Sequence, residues 1–453
     1  MPCSNRWALI EAFVVCWSVA SVSHAVDWPT DGGSNARLQS SSERLADSLP
    51  LRWTYQAPAA PKLAWSSAEG RTMEGKLMGS RIRFDDAFRT VIVDGRVYFG
   101  STVDHQLHCR ELATGKKLWT FYTDGPIRLA PTVANGRAYF GSDDGRVYCV
   151  DAVTGQFVWQ RQAAPRDEWL LARGEMISKW PVRTGVLLHN GVAYFGAGIF
   201  PHEDVYLTGV DPASGRLVWK QDNISALDGG RNDLSPQGYL LAKDDFLVVP
   251  SGGSLPAVFD LTTGKLLHKR THSWRTTAGG VVGGSRALLA DDQVYTSGEH
   301  HLLAMAEKTG DVGFGWFDGR QMAILGDAAY VATGTQVMKL NRQEYAVNSR
   351  RRHALEELIP HLTKEVRAKS GKEADEAREK LKAATDEQKS IAKTGVAWEV
   401  KNEDEKAILA TANVVIVGGT GRITAYSADD GSVAWTQPVT GEARGLAVAD
   451  GCL

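Results

Sequence analysis

The sequence has no excess of charge of either sign. Its 51 lysine and arginine residues and 53 aspartate and glutamate residues give a formal net charge of -2 at pH 7. This balance gives no electrostatic reason to expect a nucleic acid or an anionic membrane surface as a partner. Beyond its first 25 residues the sequence also lacks an apolar run of the roughly 20 residues that a membrane-spanning helix needs. We therefore predict no nucleic-acid partner and no membrane span in the mature chain.

Cysteine is scarce, and its spacing argues against several cofactors. The five cysteines form no Cys-x-x-Cys motif and no adjacent pair, so neither a zinc ribbon nor a covalently attached haem is supported. Cys109 and Cys149 occupy equivalent positions in two repeats and are interpreted as small core residues, with a bridge between them as the alternative. Nothing resembles a nucleophile elbow or a glycine-rich phosphate loop. We therefore predict no catalytic residue and no metal site.

The first 25 residues have the composition of a secretion signal. Arg6 supplies a basic region, residues 13–22 are apolar, and Ser23-His24-Ala25 offers small residues for cleavage. A signal peptide over residues 1–25 predicts a periplasmic or extracellular protein, with an N-terminal anchor as the alternative. Residues 26–50 are rich in Ser, Gly and Asp, which predicts an extended lead-in.

What the sequence does contain is a repeated unit, clearest between residues 131 and 159. Three residue pairs that tolerate positive φ divide this unit into four runs: Asn135-Gly136, Asp144-Gly145 and Thr154-Gly155. We interpret the runs as four short antiparallel strands, of which the last contains Trp159. A sheet of this size buries too little apolar surface to be stable alone, so the unit must stack on copies of itself.

Copies of the unit recur at intervals of about 40 residues. They share turn and closing positions: Asp94-Gly95 to Trp119, Asn190-Gly191 to Trp219, Thr263-Gly264, Thr309-Gly310 and Asp430-Gly431 to Trp435. This period, with four strands per unit, predicts an all-β propeller over residues 51–453. Two further segments resemble blade strands: the one around Trp53 would be the last strand of an eighth blade, and residues 444–451 would be its first. The sequence offers no middle strands for this blade. The prediction is therefore an eight-bladed β-propeller of four-stranded antiparallel blades, with the last blade incomplete.

Residues 343–393 break the β pattern. The segment is charged, poor in β-branched residues and helical in period, with Leu355, Leu358 and Leu362 on one face. A turn is expected near residue 370, and Trp398 resembles the missing closing strand of the sixth blade. We predict a coiled-coil-like helical hairpin inserted in that blade. It is either a solvated decoration or an arm that docks a partner.

Residues 149–159 and 209–219 carry a family resemblance. In both segments an aspartate is followed by a turn glycine and then by a tryptophan. The spacing of these three residues is similar to that in the tryptophan-docking repeat of the quinoprotein alcohol dehydrogenase-like superfamily. From about residue 28 onwards the chain resembles a family of exported β-propeller repeat proteins, the pyrroloquinoline quinone (PQQ)-binding-like repeat proteins. The resemblance implies eight blades and longer relatives, so this chain is expected to be part of a longer protein. It does not by itself imply bound quinone, because the superfamily includes non-catalytic assembly proteins.

Candidate ligand-binding residues lie in the segments that precede the blades: Arg128, Lys179, Trp180, Arg183, Arg275 and Arg444. Three of the arginines stand six or seven residues before an Asn-Gly or Asp-Gly turn, so the propeller symmetry should bring them to one end of the channel. We expect such a ring to bind a protein or a small anionic ligand, with Trp180 as a stacking surface. The alternative is that the arginines pair with carboxylates such as Asp85.

The hallmarks of a working quinone dehydrogenase are missing from the sequence. Such an enzyme needs a calcium-like ion held by carboxylate and amide oxygens, an aspartate base, a flat stacking residue and usually a lid of two adjacent cysteines. No adjacent cysteine pair exists here. The sequence therefore favours an exported, non-catalytic binding or scaffold module. The alternative is a PQQ-dependent alcohol dehydrogenase with a degenerate site, for which PQQ and calcium would be the cofactors.

Overall fold

Seven four-stranded antiparallel sheets, one per blade, make up the propeller in the part of the chain that the structure describes. The structure is a computed structural model, and it describes residues 26–65, 72–73, 76–77, 84–200, 203–222, 224, 234–252, 255–269, 286–297, 301–309, 315–319 and 321–453. The signal peptide predicted over residues 1–25 lies outside these ranges. No helix within them is long and apolar enough to cross a membrane.

Each blade is a meander whose four strands follow one another in sequence. A two-stranded ribbon precedes the first blade: β1 (Thr72–Met73) and β2 (Lys76–Leu77). Blades 1 and 2 contain β3 (Thr90–Val93), β4 (Arg96–Gly100), β5 (Gln106–Glu111), β6 (Lys117–Tyr122), β7 (Thr132–Ala134), β8 (Arg137–Gly141), β9 (Arg146–Asp151) and β10 (Phe157–Gln162). A hairpin and a short strand follow: β11 (Trp169–Ala172), β12 (Glu175–Ser178) and β13 (Thr184–Gly185).

The remaining five blades repeat the same order. Blades 3 and 4 contain β14 (Leu187–His189), β15 (Val192–Ala197), β16 (Tyr206–Val210), β17 (Leu217–Gln221), β19 (Leu241–Lys243), β20 (Phe246–Val249), β21 (Ala257–Asp260) and β22 (Leu266–His268). Between them β18 (Gly238–Tyr239) pairs in parallel with β13. Blades 5 to 7 contain β23 (Ala287–Ala290), β24 (Gln293–Ser297), β25 (His301–Ala306), β26 (Gly315–Asp318), β27 (Gln321–Leu325), β28 (Ala328–Ala332), β29 (Gln336–Asn341), β30 (Val396–Lys401), β31 (Ala407–Ala410), β32 (Val414–Gly418), β33 (Thr420–Ser427) and β34 (Val433–Glu442).

Asparagine and aspartate form the turn between the first two strands of five blades. Asp94, Asn135, Asn190, Asp244 and Asp291 have φ between 47° and 54°. This left-handed region is one that Asn and Asp tolerate better than most residues, and the resulting hairpin twist matches that of the flanking strands. An Asn or Asp residue therefore forms the turn of the first hairpin in each of these blades.

Indole side chains dock on the neighbouring blade. The Trp159 Nε1 donates a hydrogen bond to the Pro212 carbonyl of blade 3 at 3.0 Å. A Cβ added to Gly215, in the last turn of that blade, would lie 2.9 Å from the indole. Four further tryptophans make the same hydrogen bond: Trp53 to Leu112 (2.7 Å), Trp119 to Ala152 (3.1 Å), Trp219 to Leu261 (2.8 Å) and Trp398 to Ala428 (3.3 Å).

Cys109 and Cys149 are buried and unpaired. They lie on the third strands of blades 1 and 2, so the interpretation as core residues is confirmed and the bridge between them is not formed. Burial raises the pKa of the Cys109 thiol to about 12 and that of Cys149 to about 11. Both thiols are therefore protonated and unreactive at neutral pH.

The structure corrects the predicted number of blades from eight to seven. Residues 444–453 pair only through a bridge between Ala449 and Cys452, and residues 50–57 form no strand. The physical reason is that the sequence contains no middle strands against which these two segments could form a ladder. Residues 447–449 are instead buried in one hydrophobic cluster with residues of blades 7 and 1. The buried Trp435 Nε1 of blade 7 has no hydrogen-bond partner among the described residues.

Residues 28–43, which we call the belt, run past the first strands of all seven blades. The contacts in blade order are Trp28 with Ile92, Pro29 O with Val133 N, Asn35 Nδ2 with Leu188 O, Asn35 O with Ala242 N, Ala36 O with Leu289 N, Leu38 O with Ile324 N, and Gln39 O with Ala410 N. Most of these contacts are backbone hydrogen bonds near the end of a first strand. The predicted lead-in is thus bound inside the ring, and it ties the blades together around one end of the channel.

The insertion in blade 6 is a helical hairpin, as predicted. Two helices lie between β29 and β30: α1 (Arg342–Ala368) and α2 (Lys372–Ile391). Leu355, Leu362 and Ala384 form the buried seam between them. At the base of α1 the Tyr345 ring stacks on Phe317 of blade 5, with ring centroids 5.3 Å apart. The hairpin is therefore anchored on the propeller at its base.

Candidate functional site

Two arginines from neighbouring blades meet on one carboxylate. Arg128 precedes blade 2, Arg183 precedes blade 3, and Asp143 lies between β8 and β9. The Arg128 Nε donates to Asp143 Oδ2 at 2.6 Å, and the Arg183 Nε and Nη2 donate to its two oxygens at 3.0 and 2.9 Å. Asp85, which precedes blade 1, accepts a hydrogen bond of 2.7 Å from the Arg128 Nη1. These four side chains, which we call the Asp143 network, link blades 1, 2 and 3.

The Asp143 network is buried, and each of its side chains is at most 8% exposed. Burial acts to raise the pKa of Asp143, but the guanidiniums of Arg128 and Arg183 outweigh it and hold the pKa below its ordinary value of 3.8. Burial leaves the pKa of Asp85 raised, although Arg128 offsets part of the effect. Asp143 therefore stays ionised and holds both arginines in place.

The lowered pKa of Asp143 predicts a pH dependence of stability. A carboxyl group with a folded pKa below 3.8 stabilises the fold above that pH, and this contribution is lost as the pH falls through the folded pKa. In urea titrations, the free energy of unfolding of the wild type should exceed that of Asp143→Asn by a constant margin above about pH 5. The margin should shrink below about pH 4, because the Asn side chain does not titrate. A margin that is unchanged at about pH 3 would contradict the charge assigned to Asp143.

A tryptophan that the repeat did not reveal lies beside the Asp143 network. The Arg183 guanidinium is 5.7 Å from the Trp65 ring centroid. The Trp65 Nε1 donates to Gln237 Oε1 at 2.6 Å, and the Gln237 Nε2 donates to Ser235 Oγ at 2.6 Å. Trp65 is thus a flat aromatic group beside the Asp143 network. Its only signal in the sequence is a large aromatic residue in an irregular connection.

The other predicted site residues do not join the Asp143 network. The Lys179 Nζ lies 2.6 Å from Glu203, and the Arg444 Nη1 lies 2.8 Å from Asp86. Trp180 is only 2% exposed, and its Nε1 donates to the Glu203 carbonyl at 2.8 Å, so its ring is packed rather than open to a ligand. Arg275 lies outside the described residues. The structure thus brings Arg128 and Arg183 together, and each pairs with a carboxylate, which was the alternative interpretation.

The Asp143 network does not fit a calcium site of the quinone dehydrogenase type. Within the described ranges, no group of three or more His, Cys, Asp or Glu side chains could hold a metal ion. The two carboxylates of the Asp143 network already accept hydrogen bonds from guanidiniums. A hard cation at either carboxylate would have to displace an arginine or lie beside its positive charge.

Comparison with known proteins places the chain in a family. A family model described as outer membrane protein assembly factor BamB matches residues 57–314, 202–347 and 380–453, which together are more than half of the chain. The chain belongs to this family. It is therefore a PQQ-repeat β-propeller of the quinoprotein superfamily, as its repeats predicted.

Both a quinone-dependent dehydrogenase and an assembly factor are similar to this BamB-family propeller. It is 32% identical over 144 residues to the dehydrogenase subunit of the quinone alcohol dehydrogenase of Gluconobacter oxydans, covering 29% of this chain and 18% of that protein. It is 30% identical over 152 residues to outer membrane protein assembly factor BamB of Yersinia pestis, covering 32% and 36%. The matched region is thus well under two thirds of the length of either relative.

Solved structures support the same fold. Quinohemoprotein alcohol dehydrogenase from Comamonas testosteroni superposes with a TM-score of 0.60 at 13% identity, covering 92% of this chain and 74% of that one. A europium-containing methanol dehydrogenase superposes with a TM-score of 0.54 at 13% identity, covering 92% and 86%. At these identities the likeness concerns the propeller alone, and function must be argued from the site.

Proposed function

We propose that the protein is an exported, non-catalytic propeller that works as a binding or scaffold module. The observation that carries this proposal is the Asp143 network. A catalytic carboxylate must be free to take a proton from substrate, whereas Asp85 and Asp143 are held by the guanidiniums of Arg128 and Arg183. Buried ion pairs of this kind fix the arrangement of neighbouring blades. The name of the BamB relatives, outer membrane protein assembly factor, supports a scaffold role in the cell envelope.

A protein ligand is supported by the hairpin of β11 and β12. Its base is bound to the backbone of Asp143, because the Ser178 N–H donates to the Asp143 backbone carbonyl at 2.8 Å. Farther out, Leu171 and Met176 lie opposite each other and are 72% and 53% exposed. Large apolar side chains exposed together are typical of interaction sites. The hairpin therefore offers an apolar contact at the same end of the channel, and α1 and α2 offer a second candidate arm. A small anionic ligand is the other class that this end would suit.

Reconstitution with cofactor tests the non-catalytic proposal. The purified protein is mixed with calcium and PQQ, quinone absorbance is followed, and dye-linked oxidation of ethanol and 1-butanol is measured. We expect no saturable quinone binding and no turnover, because the carboxylates of the Asp143 network are occupied by arginines. A quinone alcohol dehydrogenase reconstituted in the same buffer is the positive control. Saturable quinone binding with alcohol-dependent dye reduction would overturn the proposal.

The second candidate function is a quinone-dependent alcohol dehydrogenase with a degenerate site. It is favoured by the similarity to the Gluconobacter oxydans dehydrogenase subunit. In that case PQQ and calcium would be required, and the Asp85→Asn variant would lose turnover if Asp85 were the base. An unchanged rate in Asp85→Asn would place the base elsewhere. The same reconstitution therefore separates the two candidates.

A further inference from the structure

A small cavity lies on the propeller axis between the belt and the segments that precede the blades. Asp31 and Arg37 of the belt line it, together with Arg89 before blade 1, Tyr239 before blade 4 and Arg286 before blade 5. Residues from blades 6 and 7 complete its wall. Because its lining comes from so many blades, the cavity occupies the channel itself. None of the described residues that were predicted to form the channel site lines it.

Positive charge is in excess around this cavity. Three guanidiniums line it, but only one carboxylate, Asp31, does so. The Arg89 Nη1 lies 3.8 Å from Asp31 Oδ1. A second carboxylate, Asp86, lies 3.5 Å from Arg89 but is also 2.8 Å from Arg444, which neutralises it. The described charged groups facing the cavity thus sum to a net positive charge.

The buried guanidiniums have donors to spare. Arg37 is 2% exposed and Arg89 is 6% exposed. The Arg37 Nη2 and the Arg89 Nε have no hydrogen-bond partner among the described residues, and the Arg89 Nη2 has only its ion pair with Asp86 Oδ1 at 3.5 Å. Burial lowers the pKa of Arg37 to about 10, so the guanidinium is still charged at neutral pH. A buried, charged donor without an acceptor is strongly unfavourable, and an anion in the cavity would remove that cost.

The Tyr239 hydroxyl adds a further donor. Its oxygen accepts a hydrogen bond of 2.8 Å from the Ala130 N–H, which leaves its own proton available. Burial raises the pKa of Tyr239 above its ordinary range, so this proton stays in place at neutral pH. The Arg37 guanidinium lies 5.3 Å from the centroid of the same ring. Donors from the belt, blade 1 and blade 4 therefore surround one space.

We propose that this cavity binds a small carboxylate anion of about the size of formate or acetate. Its two oxygens would accept hydrogen bonds from Arg37 and Arg89, as paired carboxylate and guanidinium groups do. The free volume of about 30 Å³ corresponds to a few water positions, which is too small for a tricyclic quinone. The anion would tie the belt to the blades, so the site goes beyond the scaffold proposal and does not depend on it.

Thermal unfolding with formate and acetate tests the site. Ionic strength is held constant with a bulky sulfonate salt, which the cavity is too small to admit. Above the Kd the wild-type Tm should rise with the logarithm of the formate concentration, reaching about 3 °C at one hundred times the Kd. Benzoate, whose ring exceeds the cavity, should give no such rise. Isothermal titration calorimetry provides the Kd directly.

Two variants locate the binding. Arg286 is half-buried and its one described hydrogen bond goes to Gln321 at 3.2 Å, so Arg286→Gln should fold. We expect the Kd for formate to rise at least tenfold in Arg286→Gln and in Arg89→Lys. Arg216→Gln, at an exposed rim position, is the matched control and should respond like the wild type. No rise in the wild-type Tm above that given by the sulfonate salt, an equal response to benzoate, or a wild-type Kd in both Arg286→Gln and Arg89→Lys would overturn the proposal.

Discussion

Asp143→Asn is expected to lower the free energy of unfolding by about 3–5 kcal/mol. The substitution is nearly isosteric, so the loss comes from charge rather than from packing. It removes the carboxylate that holds two buried guanidiniums, and Arg183 has no other ion pair among the described contacts. Removing one partner of a buried pair leaves an uncompensated charge in a region of low dielectric, which costs more than the pair itself contributes. The effect should therefore be far larger than that of a surface ion pair.

Urea unfolding at pH 7 measures this loss, and the helical hairpin provides a matched control. The Arg351 Nη2 and Glu387 Oε2 form an ion pair at 2.6 Å between α1 and α2, but both side chains are more than a third exposed. Glu387→Gln removes the same kind of charge and should cost only a small fraction of the loss in Asp143→Asn, because water screens the pair. If Asp143→Asn cost no more than Glu387→Gln, the Asp143 network would not contribute to stability as inferred.

The repeating part of the propeller could be predicted from the sequence because its signals are local. A pair such as Asn135-Gly136 takes up positive φ whatever lies around it, so it marks a hairpin before any tertiary contact is known. The number of blades could not be predicted in this way. Residues 444–451 have the local sequence of a first strand, but a strand needs a partner, and pairing is not a local property. The described part of the chain therefore has seven blades, whereas the sequence predicts eight.

The site was only partly predictable for a similar reason. Propeller symmetry predicts that Arg128, Arg183 and Arg444 lie near one end of the channel, and Asp85 is among the carboxylates with which such arginines are expected to pair. Asp143 was missed because it stands next to Asp144-Gly145, where a turn already explains an acidic residue. The belt was missed because its hydrogen bonds come mostly from backbone atoms, which no side-chain pattern reveals. Arg37 therefore had no visible reason to lie in the channel.

Trp159→Ala is expected to lower the free energy of unfolding by about 3–5 kcal/mol. The indole is 7% exposed, packs between blades 2 and 3, and donates its hydrogen bond to the Pro212 carbonyl. Its removal leaves a cavity between two blades and takes away one of the two hydrogen bonds that the Pro212 carbonyl accepts, the other coming from the Tyr139 hydroxyl. Trp169→Ala is the control, because the Trp169 indole is half-buried in the hairpin and bonds Asp167 only two residues away. Its cost in the same urea titration should be less than half as large.

A double-mutant cycle with Gly215 separates docking from general packing. Gly215 has a φ of 69°, and an added Cβ would lie 2.9 Å from the Trp159 ring, so Gly215→Ala carries both backbone strain and a clash. In the Trp159→Ala background the clash disappears and only the strain, about 1 kcal/mol, remains. The two substitutions should therefore be non-additive by more than about 0.5 kcal/mol. Additive losses would mean that the indole stabilises blade 2 from within, and that the blades are not held together by tryptophans lying on their neighbours' glycines.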